Sequence, residues 1–239
     1  MHDHNASSPR PPRTVVLLSG GLDSATTLAM AMARGLEVWA LSFDYGQRAA
    51  AEIAASRRLC THLGVPHHQV LPLALDGLVE SALTGDEEVP ADGEGSRIHG
   101  VPTTYVPARN TVFLALALGL AETIGARTIL IGANALDYSG YPDCRPEYLE
   151  RFNALAAVAT AEGAAGGPSI RVEAPLMHLG KADIIRAGLA LGLDYALTVS
   201  CYAPGADGRP CERCESCAIR ARGFEEVGVP DPILRTETP

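Results

Sequence analysis

The stretch VVLLSGGLDSATTL, residues 15–28, decides the fold because an aliphatic strand runs directly into a glycine turn and then a helix. Val15–Leu18 is typical of a buried strand, and Ser24–Arg34 has the apolar spacing of a helix. Gly20 and Gly21 allow a tight turn in which successive N–H groups point at one place. The helix N-terminus adds further donors and positive potential, so the stretch predicts an anion-binding loop.

Polar side chains complete this loop. Ser19 and Ser24 add hydroxyl donors, and Ser24 is expected to cap the helix. Asp23 would repel a bare phosphate, so we expect it to orient the loop or to hold Mg²⁺. The loop matches neither GxxxxGK[ST] nor GxGxxG, and it contains no lysine. A simple glycine turn with a serine cap is the alternative, but the strand, SGGLDS and helix together favour a functional loop.

The rest of the chain alternates aliphatic runs with helical patterns. Strands are predicted at Val38–Asp44, His68–Leu73, Thr128–Gly132 and Ile170–Ala174, and helices at Arg48–Leu63, Thr111–Ile124, Glu147–Glu162 and Lys181–Leu191. Continuous aliphatic strands indicate a parallel sheet covered on both faces, and the alternation predicts a doubly wound α/β fold. Ligands of such folds bind at the carboxyl ends of the strands. The polar segment Asp76–Pro107 interrupts this pattern and is expected to be a lid or an interface element.

Composition and charge limit the classes of function. The chain has 239 residues, of which 47% are hydrophobic and 20% charged, as expected for a globular protein with a full core. A net charge of −9 counts against a large nucleic-acid partner. The N-terminal residues lack the apolar core of a signal peptide, and no apolar run is long enough for a membrane span. We therefore expect a cytoplasmic protein with neither a membrane nor a nucleic-acid partner.

Four cysteines lie close together near the C-terminus in the spacing C-x9-C-x2-C-x2-C. They are Cys201, Cys211, Cys214 and Cys217. Such spacing allows four thiolates to converge on one tetrahedral metal and leaves no open coordination position, so we expect structural zinc. An iron–sulfur cluster is the alternative. Arg213, Arg220 and Arg222 are expected to offset the thiolate charge.

SGGLDS closely resembles the SGGxDS loop of the PP-loop ATP pyrophosphatases, an adenine nucleotide alpha-hydrolase-like group. The resemblance implies ATP with its β- and γ-phosphates in the loop and its α-phosphate open to attack by a substrate oxygen. A cradle for pyrophosphate would stabilise a leaving group on which charge develops. The expected nucleotide contacts are Leu18, Ser19, Gly20, Gly21, Leu22, Asp23, Ser24, Asp44, Arg109 and Asn110.

Four further segments resemble the 7-cyano-7-deazaguanine synthase (QueC) family of queuosine biosynthesis. They are YGQRAAAE (45–52), VPARNTVFL (106–114), GANALDYSGYPDCRPEY (132–148) and SCYAPGADGRPCERCESCAIRARGF (200–224). With the loop, the resemblance runs from about Val15 to Asp231. There are two departures from the family pattern. Ala49 stands where a histidine is usual after YGQR, and Glu212 and Glu215 replace a usual Gly and Asp between the cysteines.

This resemblance implies an ATP-dependent carbon–nitrogen ligase that converts 7-carboxy-7-deazaguanine and ammonia to the nitrile preQ0. ATP would activate the carboxylate, ammonia would then give an amide, and a second activation would give the nitrile. The expected catalytic residues are Asp23, Ser24, Lys181 and Asp143, the last for ammonium. For Lys181, a solvated start of a helix is the alternative. For the substrate, the expected contacts are Asp137, whose carboxylate would pair with the guanine-like edge, and Arg145, which would bind the substrate carboxylate. Tyr138 and Tyr141 would stack on the flat heterocycle.

Two other functions stay open at this point. A PP-loop enzyme that modifies a tRNA base would share the loop, and a zinc-stabilised nucleotide-binding regulator would need no turnover. We expect three parts: a flexible tail at 1–13, a PP-loop ATP-binding domain at 14–195 and a Cys₄ zinc segment at 196–239. A homodimer is also expected, with free ammonium as the nitrogen source.

Overall fold

The fold is a parallel sheet with helices packed on both faces. We describe a computed structural model, in which residues 10–47, 50–75, 77–85, 89–90, 97–98, 101–136, 140–205 and 208–234 are described. The strands are β1 (Arg13–Leu17), β2 (Glu37–Asp44), β3 (His67–Pro72), β4 (Arg97–Ile98), β5 (Val101–Pro102), β6 (Thr128–Leu130) and β7 (Arg171–Glu173). The helices are α1 (Leu22–Ala33), α2 (Ala50–Leu63), α3 (Arg109–Ile124), α4 (Pro146–Ala159), α5 (Ala161–Ala164), α6 (Lys181–Ala190) and α7 (Glu215–Val227). Short 3₁₀ helices lie at Pro142–Cys144, Tyr195–Leu197 and Pro232–Leu234.

The main sheet has five strands in the order β3-β2-β1-β6-β7, and every neighbouring pair is parallel. The chain builds outward from β1 in one direction and then returns to build from its other side. The order therefore reverses between β1 and β6, and the loop after β1 opens at this switch point. The predicted doubly wound α/β fold is confirmed.

Side chains of the central strands alternate between two cores, as the pleat of a strand requires. Val15 and Leu17 belong to the core under α3 and α4. Val16 and Leu18 belong to the core under α1, α2, α6 and α7. Burial on both faces explains why the strand is an unbroken aliphatic run rather than an alternating one.

Some predicted boundaries are wrong. β1 starts at Arg13, inside the predicted tail, of which residues 1–9 lie outside the described ranges. The single helix predicted over Glu147–Glu162 is two helices, because Thr160 leaves the helical conformation and its hydroxyl accepts from Gly163 N at 3.4 Å. The sequence patterns also missed the β4–β5 hairpin and helix α7.

A buried ion pair ties α7 to the rest of the molecule. Arg220 donates through Nε and Nη2 to the two carboxylate oxygens of Asp231, at 2.6 and 2.9 Å. Its remaining donors reach Thr198 Oγ1 at 2.8 Å and Tyr195 O at 3.0 Å. The prediction that Arg220 offsets thiolate charge is therefore wrong, because this guanidinium is already satisfied by a carboxylate. Arg213 and Arg222 are exposed.

Within the described ranges, no helix has the length and apolar character needed to cross a membrane.

Gly20 gives a direct test of this packing. It has φ +95°, and a Cβ there would lie 2.3 Å from the carbonyl oxygen of Glu52 in α2. We expect Gly20→Ala to lower the free energy of unfolding by about 2–4 kcal/mol, because backbone strain and overpacking add. Gly35→Ala is the control, since Gly35 has φ +71° with nothing within 4 Å of a Cβ, and should cost about 1 kcal/mol. Urea denaturation measures both, and equal losses would show that contact with α2 does not require the glycine.

Candidate functional site

The loop between β1 and α1 is a compact turn braced by its own hydroxyl groups. Gly21 N donates to Ser19 Oγ at 3.2 Å, and the hydroxyls of Ser19 and Ser24 lie 3.0 Å apart. The predicted cap by Ser24 is wrong, because α1 starts at Leu22 with Gly21 at the N-cap. Ser24 instead lies in the first turn, where its hydroxyl donates to Gly21 O at 3.1 Å.

The first turn of α1 faces the switch point of the sheet. The leading N–H groups of a helix have no acceptor within the helix, so those that no other segment binds, as Ser200 Oγ binds Leu22 N, are available to an anion. Gly132, just beyond β6, approaches this turn so closely that a Cβ would lie 3.0 Å from Ser24 N. The absence of a side chain at Gly132 therefore leaves the helix terminus accessible from the sheet edge.

Lys181 supplies the cation that the loop sequence lacks. Its Nζ donates to both carboxylate oxygens of Asp23, at 2.7 and 2.8 Å. The two side chains are only 8% and 16% exposed, so this is a shielded ion pair. Lys181 is the single lysine of the chain. Asp23 is therefore held in place by a residue 158 positions away in sequence.

A cavity of about 210 Å³ opens beside the loop at the carboxyl ends of β1, β2 and β6. Its lining includes Leu18, Ser19, Gly21, Leu22, Asp23, Ser24, Phe43, Tyr45, Glu52, Arg109, Asn110, Phe113, Tyr141, Cys144, Ser200 and Ser216. The loop forms one side, and aromatic side chains from β2 and α3 form another. Most residues that the sequence assigns to nucleotide contact thus meet around one space.

The rings that form the aromatic wall pack against one another and contact a cation. Phe43 and Phe113 are stacked with ring centroids 4.0 Å apart, and Tyr45 packs at 5.4 Å from Phe113. Arg109 donates through Nη1 to Tyr45 Oη at 3.2 Å. Burial raises the pKa of Tyr45 while Arg109 opposes the shift, so this phenol is neutral at physiological pH. A flat ring with an anionic substituent would match such a wall.

Asn110 and Asp143 are bound to each other. Asn110 N donates to Asp143 Oδ2 at 3.0 Å, and Asn110 Nδ2 donates to Asp143 O at 3.1 Å and approaches Cys144 Sγ at 3.4 Å. Burial raises the pKa of Asp143, and the Asn110 amide and Arg109 oppose the shift. The pair fixes the start of α3 against the 3₁₀ turn Pro142–Cys144, which positions Arg109.

The remaining predicted site residues fall into three groups. Tyr141 lines the cavity, is buried, and its hydroxyl lies 2.6 Å from Thr104 Oγ1. Asp44 and Arg145 are exposed and are not among the residues lining the cavity. Asp137 and Tyr138 lie outside the described residues, as does Ala49. The sequence predictions for these positions stay predictions.

Several residues of the site were not singled out from the sequence: the ring residues Phe43, Tyr45 and Phe113, and also Glu52 and Ser200. Glu52 stood within the quoted YGQRAAAE, but nothing in that pattern indicates that α2 turns it toward the loop. Burial raises the pKa of Glu52 to about 7, and nearby Arg109 opposes the shift. Ser200, next to the first clustered cysteine, accepts a hydrogen bond from Leu22 N at 3.1 Å. Both depend on contacts between distant segments.

The four clustered cysteines converge as predicted. The Sγ atoms of Cys201, Cys211, Cys214 and Cys217 all lie within 4.8 Å of one another. A tetrahedral metal with Zn–S bonds of about 2.3 Å would need sulfur atoms about 3.8 Å apart, so the set fits with small adjustments. Cys201 also accepts from Cys211 N at 3.2 Å, and Cys214 occupies the N-cap of α7. A helix N-terminus favours a thiolate at that position.

The Glu52 carboxyl predicts a pH dependence of stability. Its ordinary pKa is near 4.5 and its folded pKa is about 7, so the folded chain binds more protons between these values. The free energy of unfolding must therefore fall as pH rises through this window. Because the open cavity admits water, we expect a fall on the order of 2 kcal/mol relative to Glu52→Gln.

Urea denaturation of both proteins from pH 4.5 to 8 measures this difference. Glu147→Gln, which removes an exposed carboxylate of α4, is the control and should run parallel to the parent chain. Parallel curves for Glu52→Gln and the parent would contradict the account of Glu52.

Known proteins resemble this chain over most of its length. The family model described as queuosine biosynthesis protein QueC matches residues 13–228. The 7-cyano-7-deazaguanine synthase of Frankia casuarinae is 58% identical over 222 residues, which cover 92% of this chain and 93% of the relative. That of Cupriavidus taiwanensis is 56% identical, covering 92% and 96%, and that of Myxococcus xanthus is 54% identical, covering 95% and 98%.

Among solved structures, NMN synthetase from Francisella tularensis is 15% identical with a TM-score of 0.47, covering 93% of this chain and 74% of that one. The family match and the relatives span nearly the whole chain. The chain belongs to the QueC family.

Proposed function

We propose that the chain converts 7-carboxy-7-deazaguanine and ammonia to 7-cyano-7-deazaguanine at the expense of ATP, in queuosine biosynthesis. The observation that carries the proposal is a helix-terminal phosphate loop and an aromatic wall lining one cavity, in a chain of the QueC family. Relatives at 54–58% identity bear the name of this synthase. The alternatives of a tRNA-base enzyme and a regulator without turnover have no comparable support.

ATP would place its β- and γ-phosphates against the loop. The Ser19 and Ser24 hydroxyls would turn from their contacts within the loop to donate to phosphate oxygens, together with the Asp23 and Ser24 amides, and the helix N-terminus would favour the phosphate charge. Lys181 lies behind Asp23 rather than in the loop, so it would hold the Asp23 carboxylate in place for Mg²⁺ that accompanies ATP. This arrangement supports binding of a departing pyrophosphate.

The deazapurine would lie against the aromatic wall. Phe113 and Tyr45 offer ring faces, and Arg109 brings a cation to the same side of the cavity. Arg109 is better placed than exposed Arg145 to meet the substrate carboxylate, since only Arg109 lines the cavity. Asp137 remains our candidate for the guanine-like edge.

The chemistry follows from the poor reactivity of a carboxylate. Attack of a carboxylate oxygen on the α-phosphate would expel pyrophosphate and convert that oxygen into part of a leaving group. Ammonia would then displace it to give the amide, with loss of a proton. A second activation, at the amide oxygen, would allow elimination to the nitrile. One site that binds ATP twice would serve both activations, and proximity would supply much of the rate.

The Cys₄ site would hold zinc in a structural role. Four sulfur donors and no other ligand saturate a tetrahedral ion, so no position is open for substrate. The site also lies beside α7, whose docking depends on the Arg220–Asp231 pair. An iron–sulfur cluster is the competing occupant, and metal analysis of purified protein separates the two.

The proposal also covers the class of substrate, the location of the enzyme and its oligomeric state. A net charge of −9 supports a small-molecule substrate over nucleic acid and fits a cytoplasmic enzyme. We also propose a homodimer, with the segment Asp76–Pro107 as a candidate contact. Within that segment the described strands β4 and β5 form an antiparallel pair.

The function is tested by incubating the purified chain with ATP, ammonium and 7-carboxy-7-deazaguanine and measuring the nitrile by mass spectrometry. We expect ATP-dependent loss of both carboxylate oxygens and gain of one nitrogen. ATP binding without any product would contradict the ligase and favour the regulator. Product formation on a tRNA base instead would favour the other enzyme class.

Lys181→Ala should lower kcat/KM for nitrile formation by roughly 10²–10³, because it frees the Asp23 carboxylate and removes positive charge behind the phosphate loop. Lys181→Arg should restore little, since a Cβ on Gly223 would lie only 2.6 Å from Lys181 Cγ and the stem is tightly enclosed. Arg151→Ala, at an exposed cation with an 82% accessible side chain, is the control and should retain full activity. Full activity of Lys181→Ala would contradict the assigned role.

A further inference from the structure

Val199 and Ser200, which directly precede the first clustered cysteine, lie against the loop between β1 and α1, which is called the phosphate loop below. Val199 N donates to Gly20 O at 3.0 Å, and Ser200 Oγ accepts from Leu22 N at 3.1 Å. Gly20 and Leu22 flank the N-cap of α1. Two backbone groups of the loop are thus satisfied by residues that directly precede the first clustered cysteine.

The cysteine cluster in turn fixes this segment. Cys201 follows Ser200 in sequence, and Ser216 lies between Cys214 and Cys217. The hydroxyl of Ser216 donates to Ser200 O at 2.5 Å, and Ser216 is buried. The segment between Cys214 and Cys217 is therefore linked to Ser200, the residue before Cys201, and Ser200 also contacts Leu22 in the loop.

A second connection runs through α7. Cys214 is the N-cap of this helix, and Gly223 within it packs against the aliphatic stem of Lys181. The ammonium of Lys181 pairs with Asp23 in the loop. A shift of α7 on loss of its N-terminal anchor would therefore reach Asp23 through packed groups.

We infer that Ser200 is a positioning residue that couples occupancy of the Cys₄ site to the shape of the phosphate loop. A metal bound by the cysteines holds Ser200 against Leu22 and prepares the loop for a nucleoside triphosphate. By reciprocity, a bound triphosphate strengthens the hold on the metal by the same factor. The inference rests on the proposed function for the identity of the loop ligand, and it gives the cysteine cluster a role in nucleotide affinity.

The test measures binding, without turnover, on the full chain. Isothermal titration with α,β-methylene-ATP compares zinc-loaded protein with protein treated with a chelator. We expect about tenfold weaker binding without metal, within the usual range of coupling between sites. A metal-free chain that remains folded by circular dichroism and binds the analogue equally well would overturn the inference.

The reciprocal measurement does not need a stable metal-free form. Competition with a chromogenic chelator gives the zinc affinity of loaded protein with and without saturating analogue. The analogue should raise zinc affinity by the same factor of about ten. An unchanged zinc affinity would overturn the coupling, whereas loaded protein that binds no analogue at all would contradict the proposed function and the coupling with it.

Ser200→Ala tests the proposed connection. The variant should keep the metal content of the parent chain while the coupling factor falls toward one. Ser81→Ala is the matched control, since it removes a buried hydroxyl that instead accepts from Leu83 N and donates to Thr103 O, and its coupling should be unchanged. If Ser200→Ala does not fold, Ser216→Ala removes the other hydroxyl contact and should also lower the coupling. If folded Ser200→Ala protein keeps the coupling factor of the parent chain, the role inferred for Ser200 is wrong.

Discussion

The close approach of Gly20 to the carbonyl oxygen of Glu52 is the constraint on which the site depends. A loop that binds polyphosphate must expose its N–H groups while its other backbone groups are satisfied, and there is little space for side chains. Gly20 meets this condition by a left-handed conformation pressed against α2. Gly132 leaves the opposite side open at the end of β6. The cavity is the space that remains between these backbone contacts.

Charge is distributed around this loop rather than within it. A lysine inside the loop would contact the terminal phosphate, as in kinase-like P-loops. Here the single lysine comes from α6 and pairs with Asp23, while Arg109 comes from α3 and faces the aromatic wall. The loop itself therefore carries no cation: Lys181 lies behind it, paired with Asp23, and Arg109 lies beside the aromatic wall. In the proposed function, this separation would leave the α-phosphate between the two cations.

Local patterns in the sequence predicted the parts of the site that are local in the fold. The strand, glycine turn and helix of residues 15–28 and the four cysteines were found because their residue types and spacing carry the signal. Glu52 and Ser200 were missed as site residues because their roles depend on which segments the topology brings together. Arg220 was assigned to the thiolates from proximity in sequence, but a buried guanidinium takes the carboxylate that best satisfies its fork, that of Asp231. The prediction that Ser24 caps α1 is wrong because the helix starts earlier, at Leu22. The ends of a helix are its least predictable property.

The central claim is that the loop holds pyrophosphate and exposes the α-phosphate to the substrate carboxylate. It is tested most directly with 7-carboxy-7-deazaguanine labelled with ¹⁸O in its carboxylate, followed by mass spectrometry of the nucleotide products after turnover. The account predicts that ¹⁸O appears in the phosphate of AMP. Label found in orthophosphate together with ADP, and none in AMP, would contradict it.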